Sequence, residues 1–205
     1  AIFDDGFRQL RQYSLSDAYG VDSMRISVKR EEGNNNVPAG AVSNWLHRNV
    51  EVGDILQVSH PFGDFLPDTE SDDPVVLLSA GVGITPMIGA LNRIALVNPQ
   101  RRVIFAHAAR CPEHHPHQRD IAAAQARMPN LQVVTFHAQD SAPDALPGFM
   151  DLARLPKWPR SETNVYMCGP LPFMQAQWNA LLADGAPAER LHREVFGPDL
   201  LDNLL

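Results

Sequence analysis

The sequence of 205 residues has only two cysteines, Cys111 and Cys168. They lie far apart and form no framework of paired spacings, so a disulfide-stapled secreted fold is excluded and a reducing, cytoplasmic setting is expected. Two cysteines cannot supply the four thiolates of an iron–sulfur cluster, and no Cys-x-x-Cys-His haem attachment occurs. No apolar run reaches the roughly 20 residues of a membrane-spanning helix. No basic region followed by an apolar core opens the chain, so neither a signal peptide nor a membrane partner is expected. Basic residues are the minority: 17 Lys and Arg stand against 24 Asp and Glu, a formal net charge of -7. A nucleic-acid partner needs a concentrated basic face, which this balance does not offer. Hydrophobic residues make up 44% and charged residues 20%. That is ordinary globular composition.

The chain changes character across residues 68–74, an acidic, proline-bearing run that reads as a linker. It divides the sequence into residues 1–72 and 73–205. In the first part residues 11–15, 24–29 and 54–59 read as short antiparallel strands, the second with clear alternation. Residues 34–40 form a polar loop. Residues 43–48 read as a short helix with Ser43 as its N-cap. Short strands with one small helix predict a partial β-barrel. In the second part apolar strand-like runs at 75–79, 102–107, 131–136, 164–168 and 190–196 alternate with helical patterns at 86–97, 117–127 and 171–183. Met174, Trp178, Leu181 and Leu182 would share one helix face. This alternation predicts a doubly wound parallel α/β sheet.

The strongest local motif is Gly81-Val82-Gly83-Ile84-Thr85-Pro86, directly after the first buried strand and at the start of a helix. Glycines allow close backbone approach to a pyrophosphate. Thr85 is expected to cap the helix and Pro86 to occupy its first position. The free N–H groups and the helix dipole then favour an anion. A tight turn with no ligand is the alternative. Cys168-Gly169-Pro170 repeats the arrangement at the end of a later strand. In open α/β sheets ligands lie at such strand ends. Cys168 has no evident base beside it and reads as a spectator thiol near a nicotinamide rather than a nucleophile.

Together these residues resemble the ferredoxin-reductase-like family, and its flavohaemoglobin branch in particular. Arg11-Gln12-Tyr13-Ser14 resembles the family's FAD motif. The resemblance implies that the arginine holds the FAD pyrophosphate, the tyrosine lies against the isoalloxazine, and the serine stands near its N5 edge. An arginine fork suits phosphate, and a flat ring packs on a flat ring. Val28-Lys29-Arg30-Glu31 and Ala41-Val42-Ser43-Asn44-Trp45-Leu46-His47 also resemble this branch, the latter opening a short helix near the FAD pyrophosphate. Residues Gly81 to Pro86, Cys168 to Pro170, and Phe173 and Met174 match NAD(P)-binding positions. Arg193-Glu194-Val195-Phe196-Gly197-Pro198 resembles the segment whose aromatic residue covers the flavin. Glu194 matches an acidic residue that tunes the flavin's redox behaviour. The family's barrel has about two further strands before the Arg-x-Tyr-Ser motif, one with a Pro-Gly-Gln-Tyr-like segment, and this chain begins after them.

The resemblance implies hydride transfer from nicotinamide C4 to flavin N5, with FAD and NADH as cofactors and NADPH as an option. The cofactors carry the chemistry, and the protein supplies approach and orientation. Haem is expected only on a globin domain outside these residues, where the overall reaction would be oxidation of nitric oxide to nitrate. Two other readings stay open: a separate reductase component serving an oxygenase or soluble acceptor, and a nucleotide-binding module without turnover. The tract Cys111-Pro112-Glu113-His114-His115-Pro116-His117 looks metal-binding but reads as a surface loop, since adjacent histidines diverge and no metal site is expected. His47 reads as a helix surface residue. His107 reads as a hydrogen-bonded residue at a strand end, and Leu91, Ile94 and Leu96 as helix core. The segment Ala108-Ala109-Arg110-Cys111 faces the adenosine ribose in this fold. With only Arg110 positive nearby and Glu113 opposing it, NADH is expected over NADPH.

Overall fold

The structure is a computed structural model and describes residues 9–140 and 142–196. Val75–Ala80 forms β1, buried at every position. The run has no polar face because both of its faces are covered. Around it lies a six-stranded sheet in which every pairing is parallel. The other strands are Val103–Ala109 (β2), Leu131–His137 (β3), Leu146–Pro147 (β4), Asn164–Cys168 (β5) and Leu191–Glu194 (β6). Their order is β4-β3-β2-β1-β5-β6. The chain winds outward from β1 through helices Ile84–Val97 (α2) and Gln118–Arg127 (α3), then returns to β5 on β1's other side and leaves through Leu171–Ala183 (α4). The doubly wound α/β expectation is met here.

Two apolar clusters flank the sheet. Val75, Leu77, Val103 and Phe105 pack with Ile84, Leu91, Ile94 and Ile121 on the α2–α3 face. Val76, Leu78, Val165 and Met167 pack with Met174, Leu181 and Trp158 on the α4 face. The alternation of odd and even positions between the clusters is the period of a strand. Leu91 and Ile94 are core as expected, whereas Leu96 is 42% exposed and Leu182 is 41% exposed. Gln177 takes a buried place on α4 instead, donating to the Met150 carbonyl.

The first part differs from expectation. One helix, Ala41–Asn49 (α1), is present. Of the antiparallel barrel, the described residues show a single bridge, Leu15 to Ile26, beside a Ser16 N–H to Arg25 carbonyl bond of 2.8 Å. Residues 54–59 form no strand. Alternation marks which side of a strand would be buried; it does not supply the neighbour whose N–H and C=O groups make the ladder. Val52, Ile55, Val58 and Phe62 are accordingly exposed. The expected linker at 68–74 is fastened to the sheet: buried Arg101 donates to the carbonyls of Asp68 and Asp73, each at 2.7 Å, and to Ser71 Oγ at 3.1 Å.

β1 and β5 are adjacent, yet their following connections lead to opposite edges of the sheet, so the crevice opens beyond Ala80 and Cys168. The turn Gly81–Gly83 leaves β1 as one 3-10 turn. Gly81 has φ 55, with open space where a Cβ would stand. At Gly83 a Cβ would overlap the Cys168 carbonyl and lie 2.6 Å from the Gly169 nitrogen. The first glycine is required by conformation and the second by contact. Gly83→Ala is therefore expected to destabilise the fold by about 1–3 kcal/mol, as overpacking does. Gly81→Asn, which tolerates a left-handed backbone, should cost under about 1 kcal/mol. Urea midpoints of the two variants check this; a parent-like midpoint for Gly83→Ala would refute the contact.

Candidate nucleotide and flavin sites

The floor of the crevice is main chain. α2 begins at Ile84, two residues before the expected start, and no side chain caps it. Thr85 is not the cap: its hydroxyl donates back to the Val82 carbonyl at 3.1 Å. Pro86 sits third in the helix, where a missing N–H is still harmless. Ile84 and Thr85 are buried and Gly81 and Val82 half-buried, so the turn offers backbone rather than side-chain chemistry. An uncapped helix start of this kind suits an anion.

The second strand end is as close-built. A Cβ on Gly169 would lie 2.8 Å from Phe173 Cδ1 and 3.1 Å from Ala80 Cβ. Pro170 is exposed and precedes α4, and Phe173 is half-buried. Met174, expected at the nucleotide, is instead a core residue on the α4 face, because the fourth position of α4 turns toward the sheet. Cys168 lies level with Ser79 of β1 and Glu194 of β6. It has no exposed surface. Burial first, and the Glu194 charge second, push its thiol well above the usual range. It stays a neutral thiol, and only its backbone borders the crevice. Burial also raises the Glu194 carboxyl. Val195 packs against the α4-face core, and Phe196 is 37% exposed. Gly197 and Pro198 lie outside the described residues.

On the other side, Arg11 and Gln12 are exposed and Tyr13 and Ser14 half-buried. Among the described residues the Arg11 guanidinium donates to its neighbours, the Leu10 carbonyl at 2.7 Å and Gln9 Oε1 at 3.1 Å. Burial raises the Tyr13 phenol, and Arg11 pulls it partly back. The segment docks on α2 at Gly89, where a Cβ would lie 2.9 Å from the Leu15 carbonyl oxygen. α1 starts at Ala41 with Gly40 before it and no side-chain cap. Ser43, expected as the cap, lies inside the first turn and donates to the Gly40 carbonyl at 3.2 Å. Val42 is buried, Val28 half-buried, and Lys29 pairs with Glu31 at 3.0 Å. His47 is an exposed helix residue whose Nε2–H donates to the Val28 carbonyl at 2.8 Å.

Sequence reasoning missed Asn44. It is buried, donates to the Glu31 and Gly40 carbonyls at 2.7 and 2.9 Å, and accepts from Arg30 Nε at 2.8 Å. An asparagine inside a helix was the available signal; a glycine inside α2 was the signal for Gly89.

The tract after β2 is divided by the fold. Cys111 Sγ contacts His114 Nδ1 at 3.0 Å. His115 packs between His107 and His137, with ring centroids at 4.8 and 5.8 Å. Burial, then His137, lower its pKa to about 4. His107 bonds Ser79 Oγ at 2.9 Å, and burial holds its pKa well below the usual value. His117 turns the other way, toward Ser27 Oγ at 2.9 Å.

Comparison with known proteins places this arrangement. A family profile described as the oxidoreductase NAD-binding domain matches residues 77–178, from β1 into α4. The chain is 43% identical over 205 residues to a flavohemoprotein of Bordetella pertussis, covering 94% of this chain and 49% of that protein. A flavohemoprotein of Rhizobium meliloti is 40% identical over 202 residues, covering 95% and 50%. The chain thus spans about half the length of the curated relatives it matches. Among solved structures, the flavohem-like FAD/NAD-binding domain of nitric oxide dioxygenase from Vibrio cholerae is 41% identical, with a TM-score of 0.86, over 94% of this chain and 79% of that one. The flavohemoglobin of Malassezia yamatoensis, determined with bound FAD and heme, is 26% identical with a TM-score of 0.81 over 96% and 49%. The chain belongs to the flavohaemoglobin reductase family, NAD(P)H-dependent flavoprotein oxidoreductases of the ferredoxin-reductase-like fold.

Proposed function

We propose that this chain takes a hydride from NADH onto FAD and, within a whole flavohaemoprotein, passes the electrons to a globin haem that oxidises nitric oxide to nitrate. The observation that carries the reading is the pairing of an uncapped crevice, at the ends of β1 and β5, with the carbonyls of Leu15 and Asp17, directly after Arg11–Ser14, on the same helix α2. The residues fit both cofactors: open space beside Gly81, uncapped starts of α1 and α2, and an exposed Arg11. FAD, when bound, supplies the two-electron to one-electron conversion. The division at residues 72 and 73 separates the flavin-holding from the nucleotide-holding part. Two free cysteines accord with a cytoplasmic setting.

The chain's own residues bind and orient. Arg11, Gln12, Tyr13 and Ser14, with Val28, Lys29 and the start of α1 at Ala41, Val42 and Ser43, hold FAD. Gly81 to Pro86 and Cys168 to Pro170, with Phe173, hold the nucleotide. Glu194 and Phe196 border the flavin. The neutral Cys168 thiol neither attacks nor donates a charge. Hydride transfer then needs placement rather than a proton carrier.

Arg11→Ala should lower FAD retention by about tenfold or more, because a bound phosphate loses a charged, forked partner. Flavin absorbance after gel filtration measures it, and equal occupancy in variant and parent would remove Arg11 from the site. NADH should be preferred to NADPH. His115 is uncharged near neutral pH, with its pKa held at about 4. Glu113 stays ionised, lowered chiefly by the hydrogen bond with the Cys111 side chain. Exposed Arg110 is a solvent-screened anchor for a 2′-phosphate. The efficiency of flavin reduction should favour NADH by about tenfold or more, a difference of roughly 1.4 kcal/mol. A ratio favouring NADPH, abolished in Arg110→Ala, would reverse the assignment.

A further inference from the structure

His117 stands just before α3 with φ 62, a left-handed conformation at a residue that is not glycine. Such a conformation persists only where the surroundings over-determine it. Here both ring nitrogens are engaged: Nδ1 with Asp120 Oδ2 at 2.8 Å and Nε2 with Ser27 Oγ at 2.9 Å. The side chain is only 8% exposed. Asp120 belongs to the nucleotide-holding part and Ser27 to the flavin-holding part.

The contacts continue into a closed ring. Ser27 Oγ meets Ser16 Oγ at 2.8 Å. The Ser16 carbonyl accepts from Arg25 Nε at 3.0 Å, and the Ser16 N–H donates to the Arg25 carbonyl at 2.8 Å. Arg25 Nη2 returns to Asp120 Oδ1 at 3.0 Å. Asn92 of α2 joins from the side, donating to Asp17 Oδ1 at 2.8 Å. Burial raises the Asp120 carboxyl, but hydrogen bonds from His117 and Arg25 outweigh it and hold the group below its usual value. An ionised carboxylate only accepts, so His117 Nδ1 carries the proton. Nε2 and the Ser27 hydroxyl complete the contact on the other side of the ring, and the Ser16 hydroxyl also lies 3.3 Å from the Arg25 carbonyl.

The ring's position gives it a consequence. Ser16 is two residues beyond Ser14. His117 ends the loop that follows β2, and in this fold that loop stands beside the adenosine ribose. We infer that His117 is a positioning residue, joining the flavin-holding segment to the ribose-side loop so that nicotinamide and flavin are presented at transfer distance. This rests on the function proposed above. Hydride transfer is sensitive to small displacements: reacting atoms must approach to about 3–3.5 Å, and a misplacement of about 1 Å costs on the order of a hundredfold. Loss of the ring should thus act on the transfer step more than on nucleotide affinity.

The test uses the FAD-loaded full-length protein. Ser27→Ala removes one hydroxyl and leaves the left-handed residue intact. His117→Asn keeps a residue type that tolerates that backbone but is too short to span both partners. Ser27→Thr retains the hydroxyl. In anaerobic single-turnover reduction, Ser27→Ala and His117→Asn should each lower the limiting rate at saturating NADH by about tenfold. The apparent Kd for NADH should change less than about twofold, and Ser27→Thr should restore the rate. Hydrogen exchange should rise in peptides covering residues 9–20 in both slow variants and in neither Ser27→Thr nor the parent. A limiting rate unchanged in both variants, or a loss confined to Kd, overturns the assignment. A slow His117→Asn beside a parent-like Ser27→Ala also overturns it, placing the effect in the start of α3. If the parent itself is not reduced by NADH, the proposed function fails, while the exchange pattern still reports whether the ring joins the two segments.

Discussion

The carbonyl of Cys168 occupies the place where a side chain on residue 83 would begin. Gly169 makes the matching approach to Ala80 from the other strand end. Of these two contacts the first is backbone on backbone, so no rotamer can relax it; the second meets the Phe173 ring and the Ala80 methyl. They draw the ends of β1 and β5 together where the sheet's connections diverge. The side chains that might have lined the crevice are turned inward: Ile84 and Cys168 have no exposed surface, and the Thr85 hydroxyl is spent on Val82. What is left to face a ligand is main chain and the start of a helix. Such a floor binds an anion well but holds no group suited to moving a proton. It fits a reaction in which the hydride carrier brings the chemistry and the protein brings the geometry.

How much of this was legible depends on which forces each element answers to. The parallel sheet was readable because buried strands carry their signature in their own residues, as at 75–80. The crevice followed from the glycine turn after β1. Helix starts at α1 and α2 were misplaced by two residues for a shared reason. Ser43 and Thr85 both look like caps, yet both hydroxyls donate back to carbonyls, of Gly40 and Val82. A hydroxyl in the first turn can serve either way, and local sequence does not choose. The flavin-side strands were read from alternation, which is blind to partners. Met174 was assigned from a motif position, while its burial is set by the helix face it shares with Leu181. His117 had no local mark, since Ser27 lies 90 residues away.

The histidine tract shows how far fold can change what composition implies. Read as a string, it looks metal-binding, with three histidines, a cysteine and a glutamate in seven residues. Folded, His115 lies against His107 and His137 under the loop, and burial keeps it uncharged near neutral pH. Charging His107 would place a cation in the sheet's interior without a counter-ion, which desolvation forbids. The loop thus exposes the Arg110 guanidinium and the ionised Glu113 carboxylate, with His114 between Glu113 and the half-buried His115. On the function proposed above, discrimination between a hydroxyl and a phosphate at that point would turn on which histidines the fold removes from charge.

The same loop makes the polar seam to the flavin-side segment, and the character of that seam matters. Apolar packing is non-directional and fixes separation better than angle. Hydrogen bonds are directional and weaken quickly off axis. Between Ser16, Arg25, Ser27, His117 and Asp120 the contacts are almost wholly of the second kind. Arg25 and Asp120 keep 37% and 22% of their side chains exposed. Their ion pair alone is therefore a small contribution, screened by solvent. Closure of the ring supplies what the pair lacks, because moving any one member breaks two contacts rather than one. Beside it, the Gly89 approach to Leu15 fixes distance. One contact thus sets how near residues 15–27 come to α2 and α3, and the other sets how they face. The hydride transfer proposed above would require both, and the side chains at the crevice, turned inward, do not provide the second.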